Sequence, residues 1–441
     1  MQGLVGTLVL MSLLAPTDSE RSGTAAQHYW PAWRGPLATG VAPHANPPVK
    51  WGEKTNIRWK VALPGKGHST PIAWGDRIFL TAAIPHGDAV RPRLPERPGA
   101  HDNLFLTHHH EFVVLAVSRR DGSLLWQQSV HKELPHEAGH VSGSLASASP
   151  VTDGERVFAF FGSRGLYCLD TNGKLLWKKH LGEMHTKHGH GEGSSPALHG
   201  ETLIVNWDHE EGSFLAAFDK RTGNQRWKMS RTEDTSWATP IVVEDGGKAQ
   251  VIVAGTNRIR GYDLATGAIL WECGGLSSNV VASPVAANGF VYAGSSYETR
   301  ALLAIRLAGS RGEITGTNQV LWTRRRGTPY VPSPLLYGDT LYTLQHYQGV
   351  ICRIDVKTGE DLGGPFRLAG ITNVYASPVG AAGRVYVTSR DGVTLVLSHG
   401  DQVPKMLAVN RLEDTFSASP ALVGRELLLR GERHLYCISE E

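Results

Sequence analysis

The segment His188-Gly189-His190-Gly191-Glu192 concentrates more reactive side chains than any other stretch of the chain. In extended backbone, residues two apart project to the same side. His188, His190 and Glu192 would then meet at one point, with Asp208 or His209 of Trp207-Asp208-His209-Glu210-Glu211 reaching in from a neighbouring loop. Imidazole nitrogens and carboxylate oxygens at that spacing suit zinc, manganese or another divalent cation, so His188, His190 and His209 are the expected metal ligands. Without a metal, an imidazole beside a carboxylate is a general acid/base pair. A hydrogen-bonded rim that only fixes the loop is a third role open to the same groups. His140 completes the expected catalytic set of His188, His190, Glu192, Asp208 and His209.

The elements that must position these groups come from a repeat. Ser/Thr-x-Pro or x-Ser-Pro tripeptides recur at Pro71, Pro150, Pro196, Pro240, Pro284, Pro334, Pro378 and Pro420, with gaps of 79, 46, 44, 44, 50, 44 and 42 residues. A period near 44 residues is that of a four-stranded propeller blade. Each period holds short apolar strands separated by turn residues. An Asp-x-x-Thr-Gly-x-x-x-Trp element recurs at Asp219…Trp227 and Asp263…Trp271. Its Thr-Gly turns a hairpin, and its Trp is expected to pack between blades. Eight prolines predict eight blades of four antiparallel strands, an all-β fold. The last blade ends without an outer strand, and Ile57-Arg58-Trp59-Lys60-Val61 precedes the first proline with an outer-strand Trp. The N-terminal strand is therefore expected to close the last blade, leaving no open edge.

These repeats identify the chain as resembling the PQQ-like (pyrroloquinoline quinone repeat) β-propellers over about residues 57–441. That family includes quinoprotein alcohol dehydrogenases and the propeller lipoprotein of outer-membrane assembly. The opening Trp30-Pro31-Ala32-Trp33-Arg34-Gly35-Pro36 is similar to the start of exported bacterial propellers of unassigned function. The resemblance implies the fold more strongly than any activity. For a PQQ enzyme it implies a vicinal disulfide over the quinone, a Trp floor and a calcium ligand set. Here Cys168, Cys273, Cys352 and Cys437 are all separated, and no Cys-x-x-Cys-His occurs. PQQ is therefore disfavoured, and a divalent metal is the only other cofactor considered.

Strand alternation places the connections between blades and the loop between second and third strands on one face, here called the top. The insertion at about 85–110 and the two longest inter-blade connections, Trp126 to Pro150 and Trp177 to Pro196, all fall there. So do thirteen of the twenty His: His68, His86, His101, His108, His109, His110, His131, His136, His140, His185, His188, His190 and His209. Long loops on one end of a rigid frame are how a site is built. The expected ligand-binding residues are His68, His101, Asp102, Trp237, Asn279, Tyr297, Tyr330, His346, Asn373 and Tyr375, with Arg164, Arg258 and Arg390 able to hold a carboxylate or sulfate.

Composition narrows the partners. Lys+Arg 44 against Asp+Glu 41 gives a net charge of +3, so nothing favours nucleic acid. Leu4 to Leu14 form an apolar run too short to span a bilayer, followed by small residues before Gln27. Residues 1–26 read as a secretory signal peptide, although no Lys or Arg precedes the run. The expectation is a periplasmic or secreted monomer, with 27–56 an extended lead-in and no integral membrane segment in the mature chain. Three functions follow: a binder or a hydrolase or lyase acting on a small polar, carbohydrate-like ligand; a protein-binding scaffold; and, least favoured, a PQQ dehydrogenase.

Overall fold

The computed structural model describes residues 25–94 and 97–440, so most of the expected signal peptide lies outside the described residues. Eight sheets follow one another in chain order, and within each blade consecutive strands pair antiparallel. The first blade comprises Ile72–Trp74, Arg77–His86, His109–Ser118 and Leu124–Glu133. The last comprises Ala421–Val423, Glu426–Arg430, His434–Ser439 and, as its outer strand, Ile57–Ala62. The closing register sets Lys60 opposite Tyr436 and Val61 opposite Leu435. The second and third strands of a blade are covered on both faces by neighbouring blades, so they are largely buried: Phe214–Asp219 is buried except at its last residue. Outer strands alternate instead, as in Gln225–Ser230, where Trp227 is buried between exposed neighbours.

Blade-to-blade contact has a repeated chemistry. The outer-strand Trp of one blade donates its indole N–H to a backbone carbonyl near the hairpin turn of the next: Trp59 to Arg119, Trp126 to Thr171, Trp177 to Lys220, Trp227 to Leu264 and Trp322 to Val356, at 2.8–3.0 Å. The turn Gly lies flat against that indole; a Cβ on Gly223 would sit 2.8 Å from Trp177, and its φ is +69°. The Thr-Gly signature thus serves both the turn and the space for the ring.

Blade four departs from the four-strand expectation. Gly312–Glu313, from the connection to the outer strand of blade five, adds a fifth strand parallel to Ile269–Gly274. The 50-residue gap between Pro284 and Pro334 accommodates this excursion. Trp271, which it covers, turns its N–H to Gln250 of its own blade.

The Ser or Thr before each repeat proline forms an inner ring. Backbone N–H groups of Thr70, Ser149, Ser195, Thr239, Ser283, Ser333 and Ser377 each donate to the hydroxyl at the same position in the next blade, at 2.7–3.0 Å. Proline follows because it holds the preceding residue extended and needs no partner for its own nitrogen.

The N-terminal segment crosses the opposite end of the axis from the long loops. It bonds the far parts of first strands: Trp30 with Ala73, Thr152 with Pro31, Leu336 with Thr39, and Gly380 with Gly40 and Ala42. Buried Arg34 donates to the carbonyls of Pro334 and Pro378, tying blades six and seven. The insertion is shorter than expected, because Arg77–His86 and His109–Ser118 pair through their full length. The four cysteines are free and buried.

Candidate functional site

At the top of the axis lies a cavity of about 520 Å³. Its lining draws on the inter-blade connections, on the insertion and, from the opposite end, on Trp33 of the crossing segment. One wall is a group of four imidazoles. His101 lies 5.0 Å from His188 and 4.9 Å from His190, centre to centre; His188 and His190 are 5.3 Å apart; His140 is 4.8 Å from His190. The other wall is aromatic: Tyr297 stacks on Tyr330 at 6.0 Å, Tyr330 meets His346 at 4.9 Å, and His346 meets Tyr375 at 5.1 Å. Trp237, Asn279 and residues of the inner ring, Ser195, Thr239, Ser377 and Ser419, complete the lining.

Three loops are stitched together to hold the imidazoles. Asn103 of the insertion donates to the carbonyls of His188 (3.1 Å) and Gly189 (2.7 Å). His140 N–H donates to the carbonyl of His190, and Val141 N–H to that of Asp102. Trp237 donates its indole N–H to the Gly191 carbonyl at 2.7 Å. Asp102, His188 and Asn279, all in the lining, adopt φ values of +52°, +58° and +60°. Such left-handed non-glycine residues cost free energy and persist where packing over-determines them.

Backbone carbonyls fix the proton positions. His101 Nδ1–H donates to Gly99 O (2.7 Å), His188 Nδ1–H to Pro98 O (3.3 Å) and His190 Nε2–H to His101 O (3.2 Å). Burial pushes His190 down to about 4, with the neighbouring His140 imidazole adding to it. Burial also lowers His140, and takes His346 and His68 to about 3. These four are neutral acceptors or donors at neutral pH. Burial raises the Tyr330 phenol to about 12.

The structure gathers His188, His190, His140, His68, His101, Asp102, Trp237, Asn279, Tyr297, Tyr330, His346 and Tyr375 around one cavity. The geometric premise for His188, His190 and Glu192 does not hold, because Lys187–Gly189 is a 3-10 turn with His188 left-handed, not an extended strand. Glu192 touches the lining, but its carboxylate is spent on Ser163 N–H (2.8 Å), Ser163 Oγ (2.5 Å) and Arg164 (3.1 Å). Asp208 and His209 are not in the lining. Asp208 pairs with Arg231 at 2.7 and 3.0 Å, both side chains fully buried. His209 packs edge-on to Trp207 and accepts the N–H of His185, so it does not complete a trio with His188 and His190. The expected metal ligands therefore do not meet as a set.

Arg164 is held by Glu133 and Glu192, and Arg258 by Glu313 on the outer edge. Arg390 stacks on Tyr375 at 4.9 Å outside the lining, and Asn373 lies outside it too. Sequence reasoning missed Trp33, Tyr347 and the Ser/Thr ring. The ring was written in the repeat itself; Trp33 carries no periodic signal.

The resemblance to quinoproteins raises the question whether these residues fit PQQ. PQQ is a tricarboxylate, and no Lys or Arg is among the described residues that line the cavity. The donor set therefore does not fit that cofactor.

Comparisons with known proteins agree on the architecture. BamB from Moraxella catarrhalis is 15% identical, with a TM-score of 0.56, over 87% of this chain and 99% of that one. Quinohemoprotein alcohol dehydrogenase from Comamonas testosteroni is 10% identical, with a TM-score of 0.67, over 96% of this chain and 82% of that one. A europium-containing methanol dehydrogenase is 10% identical, with a TM-score of 0.58, over 91% and 89%. At such identities the likeness is one of fold. No curated protein matches in sequence. The family PQQ_2, described as outer membrane protein assembly factor BamB, matches residues 110–363, more than half of the chain. By its repeats, its eight closed blades and that match, the chain belongs to the PQQ_2 family of PQQ-like β-propellers.

Proposed function

We propose that the chain is an exported propeller whose top cavity binds a small, uncharged polar ligand of the carbohydrate class. The observation that carries this reading is the lining: imidazoles, phenols, indoles and hydroxyls, with no Lys or Arg and with Asp102 and Glu192 as its acids. Neutral hydrogen-bonding groups beside exposed flat rings suit a polyhydroxylated ligand, whose apolar faces stack while its hydroxyls pair. Tyr297 and Tyr347 are 49% and 66% exposed and offer such stacking. His188 and His190 are the bases this reading supplies for a hydrolytic or eliminating step. No helix among the described residues is long and apolar enough to cross a membrane. Export rests on the family and on the apolar run at Leu4–Leu14. Calorimetric titration with neutral and with acidic oligosaccharides tests the proposal. Saturable binding of a neutral saccharide, weakened at least tenfold by Tyr297→Ala and by Trp33→Ala, is expected. Wild-type affinity in both variants, or no saturable binding of any neutral saccharide, would overturn it.

A protein-binding role is the second reading, favoured by the family match and by Phe105, 61% exposed on the insertion. It predicts that His188→Ala/His190→Ala leaves partner capture intact while Phe105→Ser abolishes it.

A further inference from the structure

Behind the imidazole wall, His136, Glu137 and His185 bring one ligand atom each within 4.8 Å of one another. We propose that these three residues bind a divalent transition metal of the zinc class, and that the ion clips together the two long connections that carry His140, His188 and His190. The cluster lies outside the cavity: neither His136 nor His185 lines it. None of the three belongs to the set expected from the sequence motif.

Ligand chemistry favours a metal over a chance gathering. His136 Nε2–H donates to the carbonyl of Met184 at 2.7 Å. A carbonyl only accepts, so a proton sits on Nε2 and Nδ1 is the nitrogen left for a ligand bond, and metal-bound imidazoles characteristically give their other N–H to such an acceptor. His185 Nδ1 is buried with no hydrogen-bond partner and stands 3.7 Å from Glu137 Oε1. A nitrogen left bare beside a carboxylate is costly unless something bridges them. The rings of His136 and His185 meet edge-on at 5.5 Å. Glu137 is held in place by Thr186, whose N–H and hydroxyl both donate to Oε2 (3.2 and 2.8 Å), which leaves Oε1 toward His185.

Arg97 also donates to that Oε1, at 2.9 Å. It has a second carboxylate within reach, Glu211 at 3.6 Å, so it can yield to an ion without being stranded. Two imidazoles and one carboxylate match a His/His/Glu zinc set, with a fourth position for water. The ligands come from the connection between blades one and two and that between blades two and three, so the ion would cross-link the loops that build the imidazole wall.

The test uses tag-free full-length protein, stripped with chelator and titrated with zinc, and with cobalt for its visible absorption. One tight site per chain is expected, with cobalt bands of a tetrahedral nitrogen/oxygen set. His136→Ala and His185→Ala should each weaken zinc binding at least a hundredfold, and His188→Ala/His190→Ala should leave that site unchanged. Glu137→Ala is a poor probe, since it leaves the buried Thr186 N–H and hydroxyl without their acceptor and risks misfolding. Failure of the wild type to take up zinc tightly would overturn the proposal. So would a tight site that survives His136→Ala and His185→Ala, or one lost only with His188 and His190.

Discussion

At the scale of single residues, burial keeps several imidazoles of the site uncharged. His68 is largely buried, and burial, then Lys66, takes it to about 3. A lowered imidazole means that the unfolded chain binds more protons between about 3 and 6.5. Its contribution is present above pH 6.5 and is lost as the pH falls below it. For one such group the loss approaches about 1.4 kcal/mol per pH unit. Urea unfolding at pH 7 and pH 5 should therefore give a lower midpoint at pH 5, and His68→Gln should shrink the difference; equal midpoints in the wild type would contradict the burial argument. Asp208 makes the opposite case. Its carboxylate neutralises Arg231 where water cannot reach. Asp208→Asn should cost about 3–5 kcal/mol of stability by leaving a buried cation unpaired, while cavity affinity per folded molecule stays the same. Loss of affinity without loss of stability would return Asp208 to the site.

At the scale of elements, the blades are joined by an indole lying on a turn glycine. A methyl group at Gly223 would meet the Trp177 ring at 2.8 Å, and φ of +69° disfavours any side chain there. Gly223→Ala is expected to cost about 2 kcal/mol, read as a lowered midpoint in denaturant. The double variant with Trp177→Ala should be less destabilised than the sum of the singles, because both changes break one contact. Strict additivity would mean that the contact is not shared. The long connections follow different rules. Their shape comes from loop-to-loop bonds such as Asn103 to Gly189, which have no period to reveal them.

At the scale of the whole molecule, closure decides stability and shapes the cavity floor. Ile57–Ala62 pairs with His434–Ser439 across nearly the whole chain. Just before it, the crossing segment seats Trp33 beneath the cavity. A chain beginning after Ala62 would lose both, exposing the edge of His434–Ser439 as a template for association. Such a chain should sediment as oligomers or aggregates, whereas one beginning at Ile57 should keep eight blades while losing the lower wall and the crossing segment's bonds to them, such as those of Arg34 to Pro334 and Pro378. A monomeric, cooperatively unfolding chain without Ile57–Ala62 would show that closure is dispensable. The inner Ser/Thr ring has seven links, and Thr70 Oγ1, at the seam of first and last blades, is buried without a partner. Other contacts hold that seam: buried Arg430 donates to Ser69, and Arg119 pairs with Glu426 at 2.9 Å.

The sequence by itself determined whatever repeats. Ser/Thr-Pro spacing recurs eight times and an outer-strand Trp six times, each in a repeated local setting, so blade number, strand order and N-terminal closure could be counted from residues such as Pro240 and Trp227. It also determined which end holds the long loops, since strand alternation is a local rule. Only the tertiary structure decided which side chains meet. Glu192 turned to Ser163 and Arg164, Asp208 to Arg231 and His209 to Trp207, while His101 and Trp33 arrived from segments far away in the chain. The reason is physical: side-chain direction in an irregular loop is set by non-local bonds and by left-handed turns such as that at His188, and spacing along the chain does not encode them.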